Sequence, residues 1–136
     1  MKDQELLKRE IEVLKVCQHP NIIRLDDVFE NQDYYYIVME YLKGGDFFNY
    51  LESRKFKISE DRARKIGHQI ATALYYLHSF GIAHRDIKPE NILMVDDGDN
   101  ADVKLVDFGL SKTFCPGETC KEPFGTLCYV APEILL

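Results

Sequence analysis

Two polar strings in the second half of the chain constrain its fold more than any other feature. Residues 84–91 read His-Arg-Asp-Ile-Lys-Pro-Glu-Asn, and sixteen residues after Asn91 the chain continues with Asp-Phe-Gly at 107–109. An isolated Asp-Phe-Gly would carry almost no information. Two multi-residue motifs in this order and at this separation exclude chance agreement. We therefore expect a fold that brings both strings into one small volume.

The composition indicates one globular domain. The chain has 136 residues, of which 46% are hydrophobic and 29% charged, enough for a domain with its own core. A formal net charge of −6 argues against nucleic acid and anionic membranes as partners. No window approaches the ~18 apolar residues of a membrane span. The N-terminus lacks the apolar core of a secretory signal, so we expect a cytoplasmic location, with the nucleus as an alternative.

Periodicity and capping residues predict a mixture of helices and strands. The predicted helices span 2–16, 47–53 behind the cap Asp46, and 60–78 behind the cap Ser59. The predicted strands span 22–29, 34–41 and 103–106, with a further apolar run at 92–95 and a turn at 96–102. Residues 107–133 show neither the helical nor the strand periodicity of apolar residues, and so long an irregular stretch suggests a functional loop.

The two strings closely resemble the catalytic loop and the magnesium loop of eukaryotic protein kinases. The resemblance covers essentially all 136 residues, from the helix of the small lobe to Ala-Pro-Glu at 131–133, just past the activation segment. It implies an α+β, protein kinase-like fold that is truncated. Residues 1–41 would form the small-lobe helix and strands up to the start of the hinge. Residues 42–136 would form the large lobe through the activation segment.

Within that family the chain is most similar to the calcium/calmodulin-dependent and calcium-dependent kinases. Lys-Pro-Glu-Asn at 88–91 and Gly-Thr at 125–126 favour Ser/Thr over Tyr specificity. The resemblance implies transfer of the ATP γ-phosphate to Ser/Thr hydroxyls of protein substrates, with ATP and Mg²⁺ as cofactors. It also implies a candidate partner, a calcium-sensing regulatory segment outside this chain.

Phosphoryl transfer needs the acceptor hydroxyl in line with the γ-phosphate and positive charge spread over the transferring group. By resemblance, Asp86 accepts and orients the hydroxyl, and Lys88 neutralises the phosphate. Asn91 and Asp107 would hold magnesium through hard oxygen ligands. Thr126 would bridge the first two through its hydroxyl. Each residue alone has an ordinary alternative, such as a surface aspartate or a turn asparagine, but their combination favours catalysis.

The family resemblance also implies a nucleotide site. Residues 39–42 resemble the hinge between the lobes, where Met39 would close the back pocket. Backbone groups of Glu40 and Leu42 would bind the adenine edge, and Leu93 would lie beneath the base. Ordinary core packing is the alternative for each of these side chains.

Two further acids point to the substrate. Asp46 is a candidate acceptor for the ribose or for a substrate arginine, and Glu90 would lie near the same groove. Together they predict a protein substrate with a basic residue upstream of the phosphoacceptor.

Three residues have implied regulatory roles. Glu10 matches the helix glutamate that pairs with the ATP-anchoring lysine, whose position lies outside this chain; an exposed helix acid is the alternative. Arg85 matches the arginine that pairs with a negative group on the activation loop. Glu122 stands where many kinases carry a phosphorylated threonine, so it would pair with Arg85 without phosphorylation; a solvated glutamate is the alternative. The column of apolar residues that links the lobes in this family matches Leu14, Leu25, His84 and Phe108.

Two other patterns are explained better by ordinary structure. The acidic stretch 96–102 looks calcium-like, but its sixth position is Ala101 instead of glycine and its twelfth is Asp107 instead of glutamate, so we expect a hairpin turn. The four cysteines, with no Cys-x-x-Cys pair, are expected to be reduced thiols and not a zinc or redox site. They are Cys17, Cys115, Cys120 and Cys128.

The resemblance implies a piece of a kinase domain, because the glycine-rich loop and the lysine-bearing strand would precede residue 1. We therefore expect the isolated 136 residues to have little or no kinase activity, and uncovered apolar faces to make them marginally stable. The alternative class is a noncatalytic kinase-like fragment or pseudokinase module that binds nucleotide or a partner. The intact Asp86, Lys88, Asn91 and Asp107 favour a catalytic domain.

If Glu122 orders the activation loop through Arg85, reversing its charge should lower the activity of the full-length enzyme far more than removing the charge. We expect Glu122→Lys to fall well below Glu122→Gln in kinase assays at matched protein concentration. Equal and negligible effects of the two substitutions would contradict the pairing.

Overall fold

The computed structural model of the chain describes residues 2–119 and 124–135. Its helices and short antiparallel strand pairs confirm the predicted α+β class. The helices are α1 (Lys2–Val16), α2 (Phe47–Ser53), α3 (Glu60–Ser79) and α4 (Pro132–Leu135). The strands are β1 (Leu25–Glu30), β2 (Tyr35–Met39), β3 (Ile82–Ala83), β4 (Ile92–Met94), β5 (Val103–Leu105) and β6 (Lys112–Thr113). A 3₁₀ turn at Pro89–Asn91 leads into β4.

The core is one cluster of apolar side chains from α1, α3 and the β4–β5 pair, in which α3 packs against β5. Apolar side chains recur on these faces at helical spacing, which is why both helices form here. The most deeply buried apolar side chains include Leu14, Ala73, Leu77, Met94, Val103, Leu105 and Phe108. The strand that leads to Asp107 therefore contributes two side chains, Val103 and Leu105, to the core.

The connection between α1 and β1 is attached to β5. The Asn21 side-chain amide donates to the Val103 carbonyl at 2.8 Å, and the Asn21 carbonyl accepts from the Leu105 N–H at 2.8 Å. The Ile23 N–H donates to the Leu105 carbonyl at 3.0 Å. The first strand was predicted to begin at residue 22, but it begins at Leu25, because the residues before it pair with β5 instead of β2.

The β1–β2 hairpin is antiparallel, with Leu25 opposite Met39 and Glu30 opposite Tyr35. The second strand was predicted to span 34–41 and ends two residues earlier, at Met39. There the Glu40 N–H still donates to the Arg24 carbonyl at 3.1 Å, but the chain then turns away from the hairpin. The hinge-like segment 40–45 is therefore an irregular connection, not part of a strand.

Both capping predictions are confirmed. Asp46 Oδ1 accepts from the Asn49 N–H at 2.8 Å at the start of α2, and Ser59 Oγ accepts from the Arg62 N–H at 3.2 Å at the start of α3. These contacts satisfy N–H groups that have no acceptor within the helix. At the other end of α3, Gly81 adopts a φ of 65°, which glycine tolerates without strain and which ends the helix.

The calcium-like stretch 96–102 forms the turn between β4 and β5, and α3 holds it. Gln69 donates to the Asp102 carboxylate at 2.7 Å and accepts from the Val103 N–H at 3.0 Å. Lys65 also pairs with Asp102, at 2.8 Å, and Arg54 pairs with Asp99 at 2.6 Å. Two of the four acids of this stretch, Asp99 and Asp102, thus bind basic side chains in or next to neighbouring helices.

The stretch from 107 to 133, which was predicted to lack regular structure, contains two short elements. Strand β6 pairs with β3, with Ile82 opposite Thr113 and Ala83 opposite Lys112, and α4 follows at 132–135. Neither short strand was predicted, since two residues are too few for an alternating pattern. Their pairing places the segment after Asp107 beside the segment that precedes His84.

The cysteines in the described ranges are free thiols. Cys17 is buried, and burial raises the pKa of its thiol to about 11, so it is protonated and unreactive at neutral pH. Cys115 and Cys128 are exposed, whereas Cys120 lies outside the described residues. The described helices include none whose length and apolarity would suit a membrane span.

Truncating a core leucine should test this packing. Leu77 has 0% of its surface exposed, so Leu77→Ala leaves a cavity and should cost about 2–5 kcal/mol of unfolding free energy. The matched variant Leu127→Ala, at a side chain that is 76% exposed, should change stability by less than about 0.5 kcal/mol. Thermal unfolding of the full-length gene product measures both. Equal midpoints for the two variants would contradict the packing described.

Candidate active site

The β4–β5 register brings the two polar strings together. Ile92 lies opposite Leu105, so the residues just outside this pair, Asn91 and Val106, are also neighbours. The Val106 N–H donates to the Asn91 carbonyl at 3.0 Å. Asp107 follows directly, and therefore leaves the hairpin at the end where the 84–91 string enters it.

Asp86 is the centre of the site, with 7% of its surface exposed. The Thr126 hydroxyl donates to its Oδ1 at 2.7 Å, and the Asn91 amide donates to its Oδ2 and to its main-chain carbonyl, both at 2.9 Å. Lys88 Nζ lies 3.3 Å from Oδ2 and donates to Thr126 Oγ1 at 2.8 Å. The structure thus places Thr126 between Asp86 and Lys88, in the contact that the family resemblance implied.

These contacts determine the charge of Asp86. Burial alone would raise the pKa of its carboxyl, because desolvation disfavours the charged form. Hydrogen bonds from Thr126, Lys88 and Asn91, together with the positive charge of Lys88, outweigh burial and hold the pKa below its ordinary value. Asp86 is therefore ionised at neutral pH and can accept a hydrogen bond from a hydroxyl.

His84 fixes the start of the loop from within the core. Its Nδ1 accepts from the Asp86 N–H at 3.2 Å, so its Nε2 carries the proton and donates to the Val106 carbonyl at 2.9 Å. Burial lowers the pKa of His84, which keeps the ring neutral at pH 7. The ring packs edge-on against Phe108, with centroids 5.0 Å apart.

The other two residues of the expected column, Leu14 and Leu25, belong to the same apolar cluster as Phe108. Leu14 is buried, and Leu25 is partly buried against the cluster. The cluster therefore connects α1 and β1 to the two strings.

Asn91 and Asp107 have oxygen atoms that fit a magnesium ion. The Asn91 amide nitrogen is directed at Asp86, which leaves Oδ1 as an acceptor with no donor among the described residues. Asp107 uses Oδ1 to accept from the Gly109 N–H at 3.2 Å, and its Oδ2 has no donor within the same ranges. Magnesium is usually held by one or two such ligands together with substrate phosphates and water. No group of three or more His, Cys, Asp or Glu in the described residues forms a metal site by itself.

Glu10 faces this centre from α1. It lines a cavity of about 370 Å³ together with Asp86 and Asp107. Burial raises the pKa of Glu10 and the charge of Asp107 raises it further, while the Phe108 N–H offsets part of the shift. The structure thus places the predicted helix glutamate beside the Asp-Phe-Gly string, where a cation would relieve the repulsion between the two carboxylates.

Arg85 occupies a left-handed backbone conformation, with φ of 68°, which residues other than glycine rarely adopt. Its Nε donates to the Leu110 carbonyl at 2.6 Å, and its guanidinium lies 4.5 Å from the centre of the Phe124 ring. Arg85 therefore contacts two separate parts of the 107–133 stretch, at Leu110 and at Phe124. Its proposed partner Glu122 lies outside the described residues.

The predicted hinge is held by a partly buried ion pair, between Glu40 and Lys104, that sequence reasoning missed. Glu40 Oε1 accepts from Lys104 Nζ at 2.5 Å and from the Arg24 N–H at 2.8 Å, and these bonds outweigh burial, so its pKa lies below the ordinary value. Lys104 lies on β5 opposite Leu93 on β4, so Glu40 is attached to the strand paired with the one that carries the predicted adenine floor. Nothing in the sequence indicated that Lys104 would pair with Glu40.

The other predicted hinge residues differ in exposure, since Leu42 is buried and Met39 is exposed.

The two predicted substrate acids differ in their surroundings. Asp46 uses both carboxylate oxygens on Asn49, Oδ1 on the N–H and Oδ2 on the side-chain amide at 2.5 Å. Glu90 is exposed in the 3₁₀ turn between Lys88 and Asn91. A cleft of about 240 Å³ beside Asp86, lined by Ile87, Thr126 and residues 129–131, gives an approach to the carboxylate from the activation stretch.

The chain is similar to known proteins over almost all of its length. The protein kinase domain family matches residues 1–136. The chain is 46% identical over 127 residues to serine/threonine-protein kinase RAD53 of Saccharomyces cerevisiae, covering 93% of this chain and 15% of that protein. It is 45% identical over 134 residues to a "Probable myosin light chain kinase" of Dictyostelium discoideum, covering 98% and 34%. It is 44% identical over 131 residues to calcium-dependent protein kinase 5 of Plasmodium falciparum, covering 96% and 23%.

Removing the Thr126 hydroxyl should raise the pKa of Asp86, because a donor to the charged form is lost while burial remains. A folded-state pKa below the unfolded value of about 3.9 means that this carboxylate stabilises the fold above that pH. The contribution is lost as pH falls through the folded pKa. Thr126→Val should therefore lose less stability on acidification than the parent.

Carboxyl carbon NMR titration of Asp86 measures the pKa directly. Thr126→Ser keeps the donor and should retain the low pKa, and Thr113→Val, at an exposed threonine, should leave it unchanged. An Asp86 pKa that is the same in Thr126→Val as in the parent would contradict the assigned contact.

Proposed function

Since the chain belongs to the protein kinase family, with Ser/Thr kinases among its relatives, we propose that it forms part of a domain that transfers the ATP γ-phosphate to Ser/Thr hydroxyls of proteins. The match over residues 1–136 also identifies the kinase-like fold. The chain spans 15% to 37% of the length of the most similar curated relatives, so the activity proposed is that of the whole protein.

The observation that carries this proposal is the network around Asp86. Three donors hold an ionised carboxylate in a defined orientation, and one of them, Lys88, is a cation beside the place where phosphate charge develops. A hydroxyl group that donates to Asp86 is aligned for attack, and Lys88 stabilises charge on the group in transfer. No covalent intermediate on the protein is required.

Asn91 and Asp107 would hold Mg²⁺, which when bound neutralises phosphate charge. In the proposed nucleotide site, main-chain groups of Glu40 and Leu42 bind the adenine edge and Leu93 lies beneath the base. The Glu40–Lys104 pair supports this assignment, because it fixes the hinge to the strand pair that carries Leu93.

The proposed substrate is a protein with a basic residue upstream of the phosphoacceptor. Exposed Glu90 beside the catalytic loop supports it, and Asp46 contributes negative charge nearby while it caps α2. A calcium-sensing segment elsewhere in the protein is part of the proposal, supported by the similarity to a calcium-dependent protein kinase. We also propose a cytoplasmic or nuclear location, where the three described cysteines would remain free thiols.

Replacing Asp86 should separate catalysis from binding. In the full-length gene product, Asp86→Asn keeps the shape of the side chain but weakens its acceptance of the hydroxyl, and should lower kcat by about 10²–10⁴-fold. Nucleotide affinity should change little, because Asp86 is not assigned to the adenine or metal contacts. Radiolabelled phosphate transfer to a Ser-containing basic peptide measures kcat, and fluorescent ATP-analogue titration measures binding.

The matched control is Asp97→Asn in the β4–β5 turn, an exposed aspartate that should leave both values unchanged. Unaltered transfer in Asp86→Asn would overturn the assignment. A parent protein that binds nucleotide without transferring phosphate would favour the noncatalytic module instead.

A further inference from the structure

A basic pocket lies away from the Asp86 site, at the N-terminus of α3. It has a volume of about 450 Å³ and is bounded by α2, the α2–α3 connection, the first turn of α3 and the β4–β5 turn. Two acids, Asp61 and Asp99, and four basic residues line it. The basic residues are Arg54, Lys57, Arg62 and Lys65. In a chain of net charge −6, this local excess of positive charge indicates an anionic ligand.

Arg62 is the unusual member of the pocket, because only 8% of its surface is exposed. Its Nη2 donates to the Ala101 carbonyl at 2.6 Å and its Nε donates to the Tyr50 hydroxyl at 3.2 Å, both neutral acceptors. Nη1 is buried and has no hydrogen-bond partner in the described part of the chain. The nearby Asp102 carboxylate is already bound by Lys65 and Gln69. A buried guanidinium with no paired carboxylate is costly, and negative charge in the adjoining pocket would offset part of that cost.

The start of α3 adds main-chain donors to the same pocket. Ser59 caps the Arg62 N–H, but the N–H groups of Glu60 and Asp61 have no acceptor within the helix. The helix dipole makes this end favourable for negative charge. The carboxylates of both acids are bound by Arg64, at 3.0 Å and 2.6 Å, which offsets their repulsion of an incoming anion.

Two cationic side chains at the rim of the pocket, those of Lys57 and Arg54, can turn toward a ligand. The Lys57 ammonium makes no ion pair within residues 2–119 and 124–135, and its N–H is fixed by the Arg54 carbonyl at 3.1 Å. Arg54 stacks 3.9 Å from the centre of the Tyr50 ring and pairs with Asp99, whose side chain is 95% exposed. An exposed ion pair of this kind is weak, so Arg54 can exchange Asp99 for a stronger anion.

We propose that this pocket binds a phosphorylated side chain of a protein partner. A phosphate has a charge near −2 and three acceptor oxygens, which suit the guanidinium and ammonium groups that line the pocket and the main-chain donors at the start of α3. A carboxylate would use fewer of them. Tyr50 and Ile58 give the wall an apolar part against which the stem of a side chain can pack. The site is separate from the proposed phosphoryl transfer and does not depend on it.

The proposal is tested by binding, without nucleotide. The probes are fluorescein-labelled peptide mixtures with one central phosphoserine, serine or glutamate and otherwise degenerate positions, measured by anisotropy against the full-length gene product. We expect the phosphoserine mixture to bind about tenfold or more tightly than the others, and added salt to weaken it. Lys57→Glu and Arg54→Glu should each lower that affinity by about tenfold.

The control is Lys15→Glu, the same charge change at an exposed position on α1, which should bind as the parent does. Circular dichroism verifies that each variant is folded. Equal binding of the three mixtures, unchanged binding by Lys57→Glu, or an equal loss in Lys15→Glu would overturn the proposal. Competition by inorganic phosphate at the concentration of the phosphopeptide would also overturn it, since it would identify a site for the free ion and not for a protein partner.

Discussion

The antiparallel pairing of β4 with β5 is the constraint on which the candidate active site depends. Its register makes Asn91 and Val106 neighbours, and so delivers both polar strings to the same end of one hairpin. The hairpin has only three residues in each strand and would be marginal alone. It persists because Asn21 binds β5 from one side and Gln69 binds it from α3 on the other.

At Asp86, in the centre of the site, burial and hydrogen bonding have opposite effects on the charge of the carboxylate. Burial disfavours its charge, yet three donors from two segments of the chain hold the carboxylate ionised. Lys88 and Asn91 belong to the same short string, but Thr126 comes from the far end of the activation stretch. The electrostatic state of Asp86 therefore depends on how that stretch is placed. A conformational change in the stretch that contains Thr126 would alter the hydrogen bond from its hydroxyl to Asp86, without any movement of residues 84–91.

The features that the sequence predicted well are local ones. The bounds of α1, the caps Asp46 and Ser59, and the nature of the 96–102 turn follow from contacts within a few residues. The features that it missed are set by distant partners. The strand start moved from 22 to Leu25 because the preceding residues bind β5, and β3 with β6 were too short to leave a pattern. The motif residues were found by resemblance, whereas the Glu40–Lys104 pair joins positions 64 apart and had no signal.

Helix α3 connects the basic pocket to the candidate active site. Arg62 and Gln69 lie on one helix, and both bind the end of the β4–β5 turn, at Ala101 and at Asp102–Val103. Strand β5 begins there and ends two residues before Asp107. The residues that line the pocket thus help to hold the turn from which β5 starts. The basic pocket and the Asp86 network therefore share the β4–β5 hairpin as a common support.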